Sequence, residues 1–467
     1  MQIPILSGAF TDNNPAIRES YPVNMVPVAS ANGISAGYLR PSDGIVSNGS
    51  GSGACRGGIN WNGVLYRVLG SELCSVSSSG AVTVLGDVGS DGLYCTFDIS
   101  FDRLAIASNG NLFYWNGTTL TQVTDVDLGT CIDMVWVDGY FMSTDGEFLV
   151  VTDIGDPTSV NPLKYTSSEA APDPVVALLK LRNEVYALNR ETCELFDNVG
   201  GSGFPFQRVE SAQLMKGCLG TQACAVYLET VAFLGSGRNE QPSVYMGSNA
   251  QLQKIATREV DDILEQYTEA QLSTVKMEVR NDRGSQLLYM HLTDRTLVYD
   301  GGASQLLGAP VWFILTSSVE GYSRYRAQNF VYVYDKWTCA DPLSSSIGYL
   351  DDTLSTHWGA TVRWEFGTQI IYNESKGIIF NELELVALTG RIDAGTSPQI
   401  TTSYSTDGIT WSQARTITIG QIGDRTKRLV WRRQGFTRNW RVQRFKGDSA
   451  SHLTFARLEA TIEPLMS

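Results

Sequence analysis

The sequence predicts an all-β fold: a β-propeller of six or seven blades with a short helical insertion, followed by a C-terminal β-sandwich. The first observation is a structural period, because a turn followed by an apolar strand recurs at offsets of 40, 36, 45, 46, 55 and 45 residues. These offsets are close to the length of one four-stranded propeller blade. The second is composition, because 45 Gly, 20 Tyr and 10 Trp in 467 residues favour strands joined by many turns.

The repeating unit is clearest where the turn Asn62-Gly63 precedes the apolar run from Val64 to Val68. Six comparable starts follow, at Asp102, Asp138, Asn183, Glu229, Gly284 and Asn329. Seven starts predict six or seven blades. We expect a strand from Gly37 to Ile45 to complete the last blade, because a closed ring leaves fewer exposed strand edges.

The segments around the repeats divide the chain into an extended N-terminal arm (1–36), a propeller-like domain (37–349) and a sandwich domain (350–467). The arm is rich in Asn, Pro, Ala and Ser without periodicity, and the Gly/Ser alternation from Asn48 to Gly53 predicts a flexible surface loop.

The longest offset contains a helical insertion. Val260, Ile263, Leu264 and Tyr267 fall at helical spacing, and Thr268 followed by Gln271 fits a capping box for a second short helix. The insertion either packs against the ring or binds a partner.

After residue 350 the strands become longer and more widely spaced. Seven are predicted: Ala360 to Phe366, Ile378 to Leu388, Ile400 to Ser405, Thr416 to Ile419, Lys427 to Arg433, Trp440 to Phe445 and His452 to Ile462. Seven strands in this length are typical of a β-sandwich.

Charge is unevenly distributed along the chain. The net charge of −14 argues against general affinity for nucleic acid or anionic membranes. From Trp61 to Val175 there are 15 Asp or Glu against 3 Lys or Arg, whereas from Gln421 to Gly447 there are 9 Lys or Arg against one acid. The two segments are either ordinary solvated surfaces or faces that bind different partners.

The eight cysteines form no C-x-x-C pair and have no nearby His, so we predict buried thiols in a reducing compartment rather than metal ligands or disulfides. The first residues lack the basic and apolar regions of a signal peptide. No apolar run approaches the roughly 18 residues that a membrane helix needs, so we expect a soluble protein.

No motif indicates catalysis, a metal or a cofactor. The three His are isolated, and neither a P-loop nor a G-x-S-x-G turn is present. Ser405 to Trp411 resembles a shortened Asp-box, a turn in which Asp and Ser bond backbone groups while Trp packs beneath them. Such a turn is structural, although it also occurs in sialidases, so a carbohydrate-active enzyme or glycan-binding module is the alternative interpretation.

The basic segment near the C-terminus is the best candidate site. Its predicted docking residues are Arg428, Trp431, Arg432, Arg433, Trp440 and Arg441. Arg interleaved with Trp occurs in protein interfaces and in nucleic-acid grooves. It also occurs on exposed sheets where Arg stems cover apolar surface. Protein docking is the favoured functional interpretation.

Several short segments carry a family resemblance over nearly the whole chain. They are Tyr21-Pro22-Val23-Asn24-Met25, Gly37-Tyr38-Leu39-Arg40 with Gly44-Ile45, Arg56-Gly57, Tyr66-Arg67-Val68 with Gly70, Pro242-Ser243-Val244-Tyr245, Ile263-Leu264 with Tyr267-Thr268, Leu297-Val298-Tyr299-Asp300, Thr406-Asp407-Gly408-Ile409, and Lys427-Arg428 with Leu429 to Arg432. On these residues the chain resembles the tail accessory factors, or packaged DNA stabilization proteins, of short-tailed phages of enteric bacteria.

That resemblance implies a structural virion protein without enzymatic activity, assembled in the host cytoplasm. It implies a hexameric hub, or nozzle, below the head-to-tail adaptor that holds the tail needle and carries tailspikes or fibres. It also implies retention of packaged DNA and later passage of double-stranded DNA without sequence readout. We therefore expect part of the acidic segment from Trp61 to Val175 to face the DNA channel, where like charge keeps DNA from adhering.

Overall fold

The structure is a computed structural model that describes residues 1–11, 17–30, 35–168, 171–201, 203–374, 376–392 and 397–465. Nearly all regular elements are strands, as the sequence predicts. Seven antiparallel sheets follow one another along the chain, and we number them blade 1 to blade 7.

The strands of each blade are given from the first to the last in sheet order. Blade 1 contains Cys55–Trp61, Val64–Leu69, Glu72–Val76 and Val82–Asp87; blade 2 contains Thr96–Ile99, Leu104–Ser108, Asn111–Trp115 and Leu120–Gln122; blade 3 contains Asp133–Val137, Tyr140–Thr144, Phe148–Thr152 and Val160–Ser167; blade 4 contains Val175–Leu181, Glu184–Asn189, Cys193–Asn198 and Phe206–Arg208. Blade 5 contains Cys224–Tyr227, Thr230–Ser236, Ser243–Ser248 and Gln251–Lys254, with Gly217–Cys218 beside Thr230–Ser236; blade 6 contains Lys276–Asp282, Ser285–His291, Thr296–Asp300 and Trp312–Leu315; blade 7 contains Gln328–Val333, Lys336–Ala340, Ser346–Asp351 and Gly44–Ser50.

The blades form a ring. The first strands of consecutive blades contact each other in chain order, and the first strand of blade 7 contacts that of blade 1. The β-propeller is therefore confirmed, with seven blades.

The strand that completes blade 7 differs from the prediction. Gly44–Ser50 pairs with Ser346–Asp351, whereas Gly37–Pro41 pairs with Met25–Ala29 outside the ring, so the prediction of one strand from Gly37 to Ile45 is wrong. The prediction of a flexible loop from Asn48 is also wrong for the residues up to Ser50. Glycine permits a close approach of two backbones here, since a Cβ on Gly80 of blade 1 would lie 1.6 Å from the Asn48 carbonyl oxygen.

Six of the seven predicted starts lie at or just before the second strand of a blade, and the seventh, Asn329, lies in the first strand of blade 7. The turn into the second strand of blade 1 has positive φ at Asn62 (52°) and Gly63 (78°). Both central residues of a type I′ hairpin require this conformation, and Asn and Gly adopt it at low cost. In blade 7 the corresponding turn uses Tyr334 and Asp335, so the sequence lacks the usual signal there.

The predicted helical insertion is present between blades 5 and 6, as Arg258–Leu264 and Glu269–Leu272. Thr268 and Gln271 form the predicted capping box. A third helix, Gly301–Leu307, is capped by Asp300, which accepts a hydrogen bond from the Ala303 amide at 3.1 Å. The sequence does not indicate this helix, because two glycines at its start are poor helix formers. Val126–Leu128 and Glu210–Ala212 are single 3₁₀ turns.

The C-terminal part is a sandwich of two sheets. One sheet has the order Met25–Ala29, Gly37–Pro41, Phe455–Pro464, Ile378–Ala387 and Leu429–Arg432, with Gln2–Ile3 beside Phe455–Pro464 and Phe436–Thr437 beside Ile378–Ala387; the other has the order Arg363–Gly367, Trp440–Asp448, Gln399–Ser405 and Arg415–Thr418, with Ile371–Tyr372 beside Trp440–Asp448. Gly8–Thr11 and Ile17–Ser20 form a separate hairpin. Stacked aromatics fill the core, with Phe366 lying 5.3 Å from both Phe445 and Phe455 between ring centroids.

Strands from residues 1–41 therefore complete a sheet of the C-terminal sandwich. The domain boundaries at residues 36 and 350 stay a prediction. Strand pairing joins N-terminal and C-terminal residues of the chain in this one sheet.

Candidate assembly surfaces and the propeller interior

The motif Tyr21-Pro22-Val23-Asn24-Met25 lies where the sandwich meets blade 6. The Asn24 side-chain amide donates to the carbonyl oxygens of Thr316 at 2.9 Å and Arg363 at 2.6 Å. Its Oδ1 accepts from the Thr316 amide at 3.0 Å. Asn24 has φ 51°, a left-handed conformation that Asn tolerates better than most residues. Tyr21, Val23 and Met25 are buried around it. This motif therefore connects the two domains.

The second motif, Gly37-Tyr38-Leu39-Arg40, performs a related task. Leu39 is buried in the sandwich core, and Arg40 Nη1 donates to Asp43 Oδ1 at 2.8 Å. Asp43 also pairs with Arg280 of blade 6. Burial alone raises the pKa of Asp43, but Arg280 and Arg40 outweigh it and lower the pKa to about 2. The motif thus carries an ionised network across the same domain boundary.

The basic segment does not form one continuous docking face. Trp431 and Arg441 are buried, so the prediction that they line such a face is wrong for these two residues. The indole of Trp431 donates to the Arg415 carbonyl oxygen at 3.0 Å. Trp440 is half-buried, and only Arg428, Arg432 and Arg433 of the predicted set are exposed.

Arg441 is a core residue of the sandwich. Its guanidinium carbon lies 4.3 Å from the ring centre of Phe380 and 3.9 Å from that of Tyr404. Its nitrogens donate to the Gln434 carbonyl oxygen at 2.7 Å and to Gln443 Oε1 at 2.7 and 3.0 Å. Burial lowers the pKa of Arg441 to about 10. A sequence pattern cannot distinguish this buried cation from its exposed neighbours, because their positions in the sheet depend on register.

The propeller axis is closed by side chains that reach across the ring. The Gln222 amide of blade 5 donates to Thr96 Oγ1 of blade 2 at 3.0 Å. Tyr94 donates from its hydroxyl to Gln328 Oε1 at 2.6 Å, and the Lys276 ammonium lies 4.6 Å from the centre of the Tyr94 ring. Tyr94 and Gln222 also line a cavity of about 700 Å³, together with Arg56, Asp91, His291 and Arg324. Among the described residues, these contacts leave no room for a DNA duplex along the propeller axis.

Buried carboxylates join the first strands of neighbouring blades. Asp98 accepts a hydrogen bond from the Trp136 amide at 2.5 Å, linking blades 2 and 3. Asp133 accepts from the Leu178 amide at 2.7 Å, linking blades 3 and 4. Each side chain satisfies a backbone donor that the neighbouring sheet leaves unpaired. The sequence does not reveal this role, since the only signal is an acid within an otherwise apolar strand.

Glu278 makes the same kind of link between blades 6 and 7. It accepts from the amides of Asn329 at 2.8 Å and Phe330 at 3.0 Å. Lys276 lies 3.1 Å away and His291 3.8 Å away. Burial alone raises the pKa of Glu278, but Lys276, His291 and the backbone donor outweigh it and hold the pKa well below its usual range.

Burial raises the pKa of Asp133 from 3.8 to about 7, although amide donors favour its ionised form. Between about pH 4 and pH 7 the Asp133 carboxyl is ionised in the unfolded chain but not in the folded chain. Its contribution to the stability of the fold is therefore present below about pH 4 and is lost as the pH rises towards 7. We expect the stability advantage of the wild-type chain over Asp133→Asn to fall by roughly 3 kcal/mol across that range. Urea unfolding at several pH values measures it.

Asp138→Asn is the matched control for this titration, because Asp138 lies on the same blade and is exposed. Its free energy of unfolding should stay close to that of the wild-type chain, because the Asp138 side chain is exposed. An Asp133→Asn difference that stays constant from pH 4 to 7 contradicts the assignment.

The cysteines and the Asp-box turn, the remaining candidate groups, contribute to the fold. All eight cysteines are buried and free, as predicted. The Asp-box turn is confirmed, with Asp407 Oδ1 accepting from the Ile409 and Thr410 amides at 2.9 and 2.8 Å. Trp411 packs against Arg444. Within the described residues there is no group of three or more His, Cys, Asp or Glu that could hold a metal ion, and no helix long and apolar enough to cross a membrane.

The described acids of the segment from Trp61 to Val175 include three kinds of surroundings. Asp98 and Asp133 bond backbone groups between blades. Asp102 pairs with Arg103, and Asp153 pairs with Lys164. A third group is exposed, and whether any of it faces a DNA channel stays a prediction.

Comparison with known proteins identifies both domains. A family model described as "Bacteriophage P22 Gp10, beta-propeller" matches residues 1–355, and one described as "Bacteriophage P22 Gp10, beta-sandwich" matches residues 363–463. The tail hub protein gp10 of Salmonella phage P22 is 27% identical over 458 residues, covering 93% of each chain.

Two solved structures are also similar. The N-terminal domain of Nup159 is 8% identical with a TM-score of 0.43, covering 71% of this chain and 99% of that one. The Pan2 WD40 domain of Neurospora crassa is 9% identical with a TM-score of 0.41, covering 66% and 95%. The seven-bladed ring, the sandwich and the matches across both lead to one conclusion: the chain belongs to the bacteriophage P22 Gp10 family.

Proposed function

We propose that this protein is a structural tail hub, or nozzle, that extends the portal–adaptor channel of a phage, retains packaged DNA and forms part of the conduit for its ejection. Family membership supports the tail role. The observation that carries the conduit proposal is the closed propeller axis, where Gln222 bonds Thr96 across the ring. Because one copy offers no passage, a conduit has to be formed between copies, and we propose a hexameric ring.

The proposed partners are the head-to-tail adaptor, the tail needle and a tailspike or fibre, with double-stranded DNA passing without sequence readout. The proposed location is the virion tail, after assembly in the host cytoplasm. We also propose that exposed carboxylates from the segment Trp61 to Val175 line part of the channel, where their charge repels DNA phosphates.

Assembly on DNA-filled heads that carry portal and adaptor tests the proposal. We expect electron microscopy to show a ring of several copies below the adaptor, and nuclease treatment to show that the ring protects packaged DNA. A chain that stays monomeric beside such heads, or that cleaves glycans in a hydrolysis assay, contradicts it and favours the carbohydrate-active alternative.

The exposed part of the basic segment is the proposed protein-docking surface. Replacing Arg432 and Arg433 with Ala should reduce assembly on portal–adaptor complexes by about tenfold or more, because arginines at interfaces are frequent binding hot spots. Thermal unfolding should change little, since both side chains are exposed. If sedimentation shows unchanged assembly, this surface binds no protein partner and contacts only solvent.

A further inference from the structure

The exposed cations at one edge of the sandwich form what we call the arginine face. It consists of Arg415, Arg425, Lys427, Arg428, Arg432, Arg433 and Arg438, all exposed. Arg428 pairs with Glu384 at 2.5 Å, and Arg432 lies 3.5 Å from Glu382. The other five form no ion pair with any described residue. Among the described residues the face has an excess of positive charge.

Apolar side chains accompany these cations. Ile422 is 64% exposed and Phe436 is 49% exposed. Arg415 Nη1 donates to the carbonyl oxygens of Arg432 at 2.9 Å and Arg433 at 2.6 Å, which holds the edge of the sheet together. Arginine beside exposed aromatic and aliphatic groups is a composition typical of protein interfaces.

A complementary surface lies on blade 3, and we call it the carboxylate corner. It consists of Asp127, Asp145 and Glu147, together with Val126 (89% exposed) and Ile132 (40% exposed). A Cβ on Gly129 would lie 3.6 Å from Asp145 Oδ2, and one on Gly146 would lie 3.3 Å from the Ile132 side chain, so the two short segments are adjacent.

No cation in this part of the chain neutralises the corner. Between Trp61 and Val175 the only basic residues are Arg67, Arg103 and Lys164. Arg67 is fully buried, Arg103 pairs with Asp102, and Lys164 pairs with Asp153. The corner therefore presents negative charge around apolar groups, and the arginine face presents the reverse.

The sandwich and blade 3 lie on opposite sides of the ring within one copy. The sandwich packs beside blades 6 and 7, where Asn24 bonds Thr316 and the His357 backbone bridges Ile45. Blade 3 is three positions from blade 6 in one direction and three from blade 7 in the other, the farthest position in a ring of seven. Complementary patches on opposite sides of one chain generate head-to-tail contacts, and these form rings when the rotation closes.

We propose that the arginine face of one copy docks on the carboxylate corner of the next, so that repetition of this contact closes the ring. This inference rests on the proposed hub function, and it adds which surfaces join the copies. Exposed Phe436 meets Val126 and Ile132, and the arginines beside Phe436 meet the carboxylates around them.

Two charge-reversed variants test the contact. Variant A carries Arg432→Glu and Arg433→Glu, and variant B carries Asp127→Lys and Glu147→Lys. Each alone should form rings on portal–adaptor complexes at least about tenfold less well than the wild-type chain, because like charges then face each other. An equal mixture of A and B should recover ring formation to within about twofold, since reversed surfaces of alternate copies are again complementary.

Matched controls are Arg238→Glu on blade 5, whose side chain is 68% exposed, and Glu320→Lys in an exposed loop before blade 7. Both should assemble as the wild-type chain does, and thermal unfolding confirms that every variant is folded. If variants A and B form rings as efficiently as the wild-type chain does, the proposed contact is wrong but the hub function still stands. Loss in A and B without recovery in the mixture also overturns it, and indicates adaptor docking instead. Failure of the wild-type chain itself to assemble counts against the hub function.

Discussion

Replacing Glu278 with Ala is expected to lower the free energy of unfolding by about 3–5 kcal/mol, the cost of removing one partner from a buried ion pair. The carboxylate accepts hydrogen bonds from the Asn329 and Phe330 amides, and it lies beside Lys276. Ala leaves two backbone donors and one buried cation without this partner. Because blades 6 and 7 meet at Glu278, the loss of these interactions weakens the contact between the two blades.

Urea unfolding of the Glu278→Ala variant measures this effect, and Glu320→Ala serves as control because Glu320 is an exposed acid of the same domain. The control should change stability by less than about 0.5 kcal/mol. A Glu278→Ala variant as stable as the control contradicts the assigned role.

The pH dependence of the Glu278 contribution has the opposite sign to that of Asp133. The pKa of Glu278 in the folded chain lies below the ordinary value of 4.5. Its contribution is therefore present above about pH 4.5 and is lost as the pH falls towards the folded-state pKa. Asp133 and Glu278 thus differ in their charge state, since Glu278 has a lysine beside it and Asp133 is held mainly by amide donors.

Arg441→Ala is expected to destabilise the sandwich by about 3 kcal/mol, through lost ring contacts, unpaired acceptors and a cavity. The guanidinium lies against Phe380 and Tyr404 and donates to Gln434 and Gln443. Arg441→Lys keeps the charge but cannot donate twice to Gln443, so we expect a smaller loss of the same kind. Thermal unfolding separates both from the wild-type chain.

Arg432→Ala is the matched variant, because it removes an arginine from the same segment whose side chain is 76% exposed. It should leave the melting temperature almost unchanged and weaken assembly instead. Equal melting temperatures for Arg441→Ala and the wild-type chain contradict the core role of Arg441.

Alternation and turn chemistry made most of the fold predictable. The Asn62-Gly63 turn, the spacing of later strand starts and the Thr268 capping box depend on neighbours in sequence, and the structure confirms them. The closing strand Gly44–Ser50 was predicted at the wrong residues because its partner, Ser346–Asp351, lies some 300 residues away. The arm presented the same difficulty, since its first strand, Gln2–Ile3, pairs with Phe455–Pro464.

The sequence predicts the charge of the candidate surfaces but not which of their residues are exposed. The sequence by itself determined that the chain alternates as short strands with a blade-length period, that it is acidic near its front and basic near its end, and that it carries the family motifs. Those properties depend on residue type and local spacing. Tertiary structure alone decided that Arg441 is buried while Arg432 is exposed, that Asn24 joins the domains, and that Asp133 and Glu278 link blades. These outcomes depend on which distant backbone groups lie within hydrogen-bonding distance, and long-range register determines that.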